Sequence, residues 1–281
     1  MIRTLDGCEL APPAMVSGAP APLALESQLL QREGFRHGFF MRTGGVSPDP
    51  FRSLNFIASS GDDPANVAEN RARAGAFLGV DAGRIYYLSQ VHGTGVEFVR
   101  GSEDAAEVVH RRGDAVASDS PRAACGVRSA DCGTLLVGDP KTGAACAIHA
   151  GWKGTVLGVV PAAIAAMRSA FGSDPRSLVV AVGPHIEVCC FEVGGDVARE
   201  LAGCSPAGEA VVVRDGEKKP HVDLRAVLVA QLVAAGVEAP AIDHVRGCTV
   251  CDRERFFSYR REGQVSGRLL SAIVPRALSS G

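Results

Sequence analysis

The sequence predicts an α+β (mixed α/β) architecture in which stacked mixed β-sheets carry helices on the outside. Three observations lead there. Short β-prone runs crowd the stretch from 85 to 149, apolar stripes at helical spacing lie on both sides of it, and the two kinds of element alternate irregularly with no internal repeat or long linker. The elements follow in order. Residues 1–25 hold Pro12, Pro13, Pro20 and Pro22 and read as a loose N-terminal lead, leaving 26–281 as one domain. His37 stands at the start of a Gly38-Phe39-Phe40 strand as a packing residue, and Gly44-Gly45-Val46-Ser47-Pro48 is a loop. Asp62-Asp63 supplying a capping carboxylate, Pro64 at the first helical position and Gly79 as a stop frame a helix over 64–78. Strands are expected at Ile85–Leu88, Val96–Val99, Ala115–Ala117, Cys125–Val127, Thr134–Val137 and Ala144–His149, the last two joined as a hairpin through Asp139-Pro140-Lys141-Thr142-Gly143. Thr155–Phe171 reads as one buried helix despite Pro161. Ser177–Val182, Val211–Arg214, Ala241–Val245 and Phe256–Tyr259 complete the strands, and Asp196–Ala202 and Leu224–Ala235 the helices.

Composition narrows the function classes. A chain of 281 residues with 46% hydrophobic and 21% charged residues can bury a substantial core, which excludes a disordered or collagen-like protein. The formal net charge of −2 offers no basic excess for a phosphate backbone, so nucleic acid is not an expected partner. Uncharged apolar stretches such as Gly154 to Met167 fall short of the roughly 20 residues a bilayer crossing needs, so no membrane partner is expected either. The first 25 residues carry one positive charge, Arg3, and lack a secretory apolar run. Nine cysteines without an even spacing pattern do not read as a secreted disulfide framework, and a reducing, cytoplasmic setting is expected.

Three segments join reactive side chains to glycine: Gln90-Val91-His92-Gly93, Ala130-Asp131-Cys132-Gly133 and His149-Ala150-Gly151-Trp152-Lys153-Gly154. Two imidazoles and a thiolate suit zinc and leave a fourth tetrahedral position for water or substrate. The same trio equally suits a Cys-His nucleophile pair or a buried thiol with packed histidines, and the wide spacing is no local zinc signature. Cys248-Thr249-Val250-Cys251 is a lone CxxC and reads as packing cysteines, as do Cys189-Cys190, Cys125 and Cys146. Arg42 beside the Gly44-Gly45 loop is the best placed guanidinium for gripping an anion, with Arg71 and Arg260 as further candidates. Neither a dinucleotide fingerprint nor a P-loop occurs.

Taken in order, Arg42-Thr43-Gly44-Gly45-Val46-Ser47, Ser53-Leu54-Asn55, Gly61-Asp62-Asp63 through Asn70-Arg71, the three segments above, Gly113-Asp114-Ala115, Gly183-Pro184 with Phe191-Glu192-Val193, and Phe257-Ser258-Tyr259-Arg260-Arg261 with Gly267-Arg268 strongly resemble the laccase-domain family, the YfiH-type or multicopper polyphenol oxidase-like proteins. The resemblance implies a YfiH-like, cysteine-hydrolase-type fold with zinc held by His92, Cys132 and His149 and with Arg42, Gly44, Gly45, Arg71 and Arg260 around the substrate. It also implies a purine nucleoside phosphorylase acting on adenosine, inosine and methylthioadenosine with phosphate, with adenosine deaminase activity. The alternative it offers is a cysteine or metal amidohydrolase editing peptidoglycan precursors. Copper and polyphenol oxidation rank lower, because multicopper centres draw on many imidazoles and this chain has seven histidines and no His-x-His. A non-catalytic metal-binding protein is the remaining class. Two departures from the family pattern, Gly133-Thr134 after the cysteine and Asn55-Phe56-Ile57, bear on the shape of the pocket.

Overall fold

Alternation of side chains along short apolar strands builds two stacked sheets, and a computed structural model describes residues 23–278 of them. The first sheet runs β1 (Ala24–Leu25), β2 (His37–Phe40), β13 (Leu269–Ile273), β6 (Ala124–Ser129), β3 (Ile85–Tyr86). The second runs β12 (Ile242–His244), β9 (Val179–Val182), β7 (Gly133–Gly138), β8 (Ala145–Ala150), β5 (Ala115–Ser118), β4 (Val96–Phe98). A two-stranded ribbon, β10 (Val212–Val213) and β11 (His221–Val222), lies apart from both. Both main sheets mix parallel and antiparallel pairs.

The period of two decides what each face buries. In β7 and β8, Leu136, Ala145 and Ala147 join Phe39, Tyr86, Val127 and Ile273 in the layer between the sheets. Their neighbours Leu135, Val137, Cys146 and Ile148 face the opposite way, onto α5 (Val159–Phe171), α6 (Gly195–Cys204) and α7 (Leu224–Ala234). On the far face of the first sheet, Leu270 and Ala272 meet Ala74 and Leu78 of α2 (Pro64–Leu78). Helices therefore cover the outer faces and an alanine-rich layer separates the sheets. Each fully buried leucine or isoleucine in these layers contributes about 1.5–3 kcal/mol.

The frame of α2 agrees with the sequence at both ends. Asp63 accepts from the Ala65 N–H, Pro64 opens the helix, and Gly79 closes it in the left-handed conformation. The 133–150 hairpin forms in the expected register, with Leu136 opposite Ala147. Four expectations need correction. Thr155–Phe171 is not one helix, because Gly158 takes φ of 87° and separates α4 (Trp152–Leu157) from α5, leaving Pro161 in the first turn of α5, where its missing N–H costs nothing. Phe256–Tyr259 is not a strand: the Phe256 N–H turns back to Asp252 O, and Ser258 caps the short helix α8 (Tyr259–Glu262). The expected lead is shorter by at least two residues, since Ala24 and Leu25 pair with β2; residues 1–22 lie outside the described residues. Finally, β13, at the centre of the first sheet, was not among the expected strands. Cys125, Cys146 and His37 are buried as expected, His37 receiving the Ser27 N–H at Nε2.

Candidate active site

The chain passes from the first sheet to the second through three residues, Ala130, Asp131 and Cys132, between β6 and β7. At the same end His149 sits beside Thr134 in the β7–β8 register, on the face turned toward the other sheet. Directly before β5 lies Asp114, two residues from Val116 and on the same face. The carboxylate of Asp114 is fully buried and spans four donors: Oδ1 accepts from the His92 N–H at 3.0 Å and bonds His149 Nδ1 at 2.9 Å, while Oδ2 accepts from the N–H groups of Val91 at 3.2 Å and Gly93 at 2.7 Å. One side chain thus clasps the 91–93 turn and orients the imidazole of His149. His92 and Asp131 both adopt positive φ, at 57° and 93°, a conformation that ordinary side chains avoid.

These elements bring His92, Cys132 and His149 together. Their ligand atoms all lie within 4.8 Å of one another, with Cys132 Sγ 3.7 Å from His92 Nε2 and the two rings edge-on at 5.0 Å. Accessibility falls across the trio, from exposed His92 through half-buried Cys132 to buried His149. Burial opposes ionisation of Cys132, yet the imidazoles of His149 and His92 outweigh it and bring its pKa from 9.0 to about 6. Burial likewise opposes the charged form of His149, but the Cys132 and Asp114 charges raise it from 6.5 to about 9. Each charge favours the other, so the Cys132 thiolate and the His149 imidazolium stabilise one another. The donor set fits a metal, because Asp114 fixes the proton of His149 on Nδ1 and turns Nε2 toward the sulfur. Gly151 is required for this approach: a Cβ there would stand 2.4 Å from His92 Cδ2 and 3.1 Å from Cys132 Sγ.

The trio opens into a cavity of about 630 Å³ lined also by Ile57, Trp152, Phe191, Tyr259 and the arginines 128, 260 and 268. Arg260 donates to the carbonyls of Cys190 and Glu192, and its N–H donates to Asp131 Oδ2 at 2.6 Å. Arg128 donates to Phe56 O, and Arg268 to Ser266 O and Gly267 O. Burial lowers the pKa of both; the Arg268 and Arg71 guanidiniums further disfavour the charge on Arg128, while Cys132, Asp131 and Tyr259 favour the charge on Arg268. Two cations held together and spent on carbonyl groups make a site receptive to an anion.

The structure separates the other sequence candidates from this cavity. Arg42 and Gly44 line a neighbouring cavity of about 690 Å³, where the Arg42 guanidinium meets Glu262 at 3.1 Å and the carbonyls of Arg52 and Arg253. Gly45 packs so tightly that a Cβ would meet Ser53 O at 2.2 Å, and its N–H is held by Ser53 Oγ. Arg71 donates to Ala82 O and Ile85 O. Of the expected substrate residues, Arg260 alone lines the cavity with the trio. Sequence reasoning missed Asp114, Arg128 and Arg268 as site residues. The Gly-Asp pair ahead of a strand was the available signal for Asp114; solitary arginines near strand ends carry none.

Comparison with known proteins places the chain in a family. Residues 36–276 match the family model described as multi-copper polyphenol oxidoreductase laccase, and the chain belongs to that family of YfiH-type proteins. It is 40% identical over 242 residues to a purine nucleoside phosphorylase of Streptomyces coelicolor, covering 85% of this chain and 95% of the relative. It is 35% identical over 232 residues to the Escherichia coli purine nucleoside phosphorylase YfiH, covering 83% and 90%. Among solved structures, Bacillus licheniformis YfiH superposes with a TM-score of 0.84 at 26% identity over 91% of this chain and 98% of its own. YlmD of Geobacillus stearothermophilus gives 0.80 at 30% identity, over 86% and 92%. The expected α+β class agrees with these neighbours.

Proposed function

We propose that the chain is a zinc-dependent purine nucleoside phosphorylase that converts adenosine, inosine or methylthioadenosine and phosphate into the free base and the sugar 1-phosphate, with adenosine deamination in the same cavity. The observation that carries this reading is the shared cavity: a His-Cys-His metal trio and a cluster of guanidiniums face the same space. The names of the relatives support the reaction class. His92, Cys132 and His149 would hold the metal, which when bound supplies a polarising charge and a position for water or substrate beyond its three protein ligands. Asp114 bonds His149 Nδ1 and fixes the ring, which leaves Nε2 as the atom that would hold the metal. Arg128 and Arg268, with Arg260 beside them, hold the phosphate dianion. A phosphate oxygen bonds to the anomeric carbon as the glycosidic C–N bond breaks, and its electron pair leaves on the purine nitrogen. Ile57, Phe191 and Tyr259 supply the apolar walls that enclose the base. Ile57 belongs to one of the two departures from the family pattern and lines this cavity.

The deciding experiment measures adenine released from adenosine with and without phosphate. Release that requires phosphate and yields ribose 1-phosphate supports the proposal; release indifferent to phosphate refutes it. Elemental analysis of the active protein separates zinc from copper. One observation favours a second reading, the cysteine amidohydrolase: the Cys132 thiolate beside His149 and Asp114 is arranged as an activated nucleophile. A covalent adduct mapped to Cys132 after incubation with a cell-wall peptide precursor supports that reading instead.

A further inference from the structure

Away from the His92–Cys132–His149 trio, the structure gathers Cys189, Cys190, Cys248 and Cys251, with all four sulfurs within 4.8 Å of one another. In the sequence a CxxC without a second CxxC reads as packing cysteines. The second pair is an adjacent Cys-Cys instead. Two turns deliver them: the N–H groups of Cys190 and Phe191 fold back to Glu187 O, and that of Asp252 folds back to Cys248 O. The turns lie side by side because His185 and Cys248 bridge, through His185 N–H to Gly247 O and Thr249 N–H to His185 O. Cys251 Sγ is 3.4 Å from Cys190 Sγ and 3.7 Å from Cys189 Sγ. Four sulfurs at the zinc–thiolate bond length of about 2.3 Å stand about 3.8 Å apart in a tetrahedron, so the observed spacing is already near that of a tetrathiolate.

We propose that Cys189, Cys190, Cys248 and Cys251 of the reduced chain form a second, structural zinc site, a tetrathiolate that fastens the 187–191 turn to the 248–252 turn. Cys251 is disulfide-bonded in this structure, whereas Cys189, Cys190 and Cys248 are thiols. Loading therefore follows a two-electron reduction: a dithiol reductant closes into its own disulfide, the Cys251 disulfide opens to thiols, and zinc then displaces the thiol protons to solvent. Oxidation and metal are alternative states of one sulfur. The fastened turns brace the wall of the candidate active site, since Arg260 donates to Cys190 O and Thr249 Oγ1 donates to Asp131 Oδ1 at 2.6 Å, next to Cys132. The four cysteines stand whatever reaction the His92–Cys132–His149 site performs.

The test uses cobalt(II) as the probe on the full chain reduced with a phosphine and desalted anaerobically. A His92→Ala/Cys132→Ala variant, which lacks the other site, is expected to bind about one cobalt(II) per chain with the intense visible absorption of a tetrahedral tetrathiolate. Adding Cys248→Ser is expected to abolish that absorption. Because Cys248 is buried and its loss could unfold the chain, a second measurement uses the wild type: alkylation followed by peptide mass spectrometry, with and without zinc. Zinc is expected to protect Cys189, Cys190, Cys248 and Cys251 as a set. No cobalt uptake by the double variant, or alkylation of the four cysteines at the same rate with and without zinc, overturns the proposal.

Discussion

Replacing Asp114 by Asn tests how the site is held together. The carboxylate receives four hydrogen bonds and presents no N–H of its own. An amide keeps one oxygen and turns an NH₂ toward one pair of donors. If the NH₂ takes the Oδ2 position it opposes the N–H groups of Val91 and Gly93, and two buried donors lose their acceptor. If it takes the Oδ1 position it drives His149 to the other tautomer, placing the proton on Nε2, where a metal would bind. Either arrangement leaves buried donors unsatisfied, at about 1–3 kcal/mol. Loss of the carboxylate behind a ligating imidazole costs about 10–100-fold in metal affinity, or about 1.4–2.8 kcal/mol. Asp114→Asn is thus expected to lower zinc affinity by at least about tenfold, read by competition with a chromogenic chelator, and to lower the melting temperature of the metal-free protein by several degrees. A variant that melts lower yet binds zinc as tightly as the wild type reduces Asp114 to a backbone clasp. One unchanged in both refutes the reasoning.

Three further outcomes are expected. Gly151→Ala places a methyl against His92 and Cys132, and since His92 is exposed its ring can swing outward; zinc uptake and turnover should fall at least about tenfold while circular dichroism stays native. Arg268→Ala removes a charged donor from the cavity and should raise the phosphate KM by about tenfold or more, whereas Arg42→Ala, one cavity away, should leave that KM nearly unchanged and lower stability instead; initial rates at varied phosphate check both. His185 is fully buried, its Nε2 has no hydrogen-bond partner, and burial together with Arg225 lowers its pKa from 6.5 to about 4. The unfolded chain therefore takes the proton first: His185 imposes no penalty above pH 6.5, and one growing to about 3 kcal/mol as pH falls to 4. Urea titrations across that window should show the slope in the wild type and lose it in His185→Gln; equal slopes contradict the assignment.

The parts of the fold legible in the sequence are those where one residue type has one physical reason to stand. Asp63, Pro64 and Gly79 mark a helix by capping chemistry, and Asp139 through Gly143 mark a turn. β13 escaped because Leu269–Ile273 is buried on both faces and carries no alternation to read. Phe256-Phe257 misled because aromatic residues fill a core from a loop as well as from a strand. At the site, His92, Cys132 and His149 were legible by chemistry, since few residue types bind metal. Their supports were not: Asp114 acts through an imidazole 35 residues away in sequence, Arg128 comes from β6 and Arg268 from just before β13, and the four cysteines pair as Cys-Cys with CxxC across the fold.

The crossover at Ala130–Cys132 gives the core a say in selectivity. His149 and Asp114 belong to one sheet, Arg128 and Arg268 border the other, and Cys132 ends the short link between them. The candidate metal donors and the guanidiniums thus come from the two sides of the layer between the sheets, in which Ala145, Ala147 and Ala181 pack with Phe39 and Tyr86. A larger side chain in that layer, remote from any substrate, would act as a shim. It would part the two halves of the site and retune which molecules span them, without altering a single residue that lines the cavity.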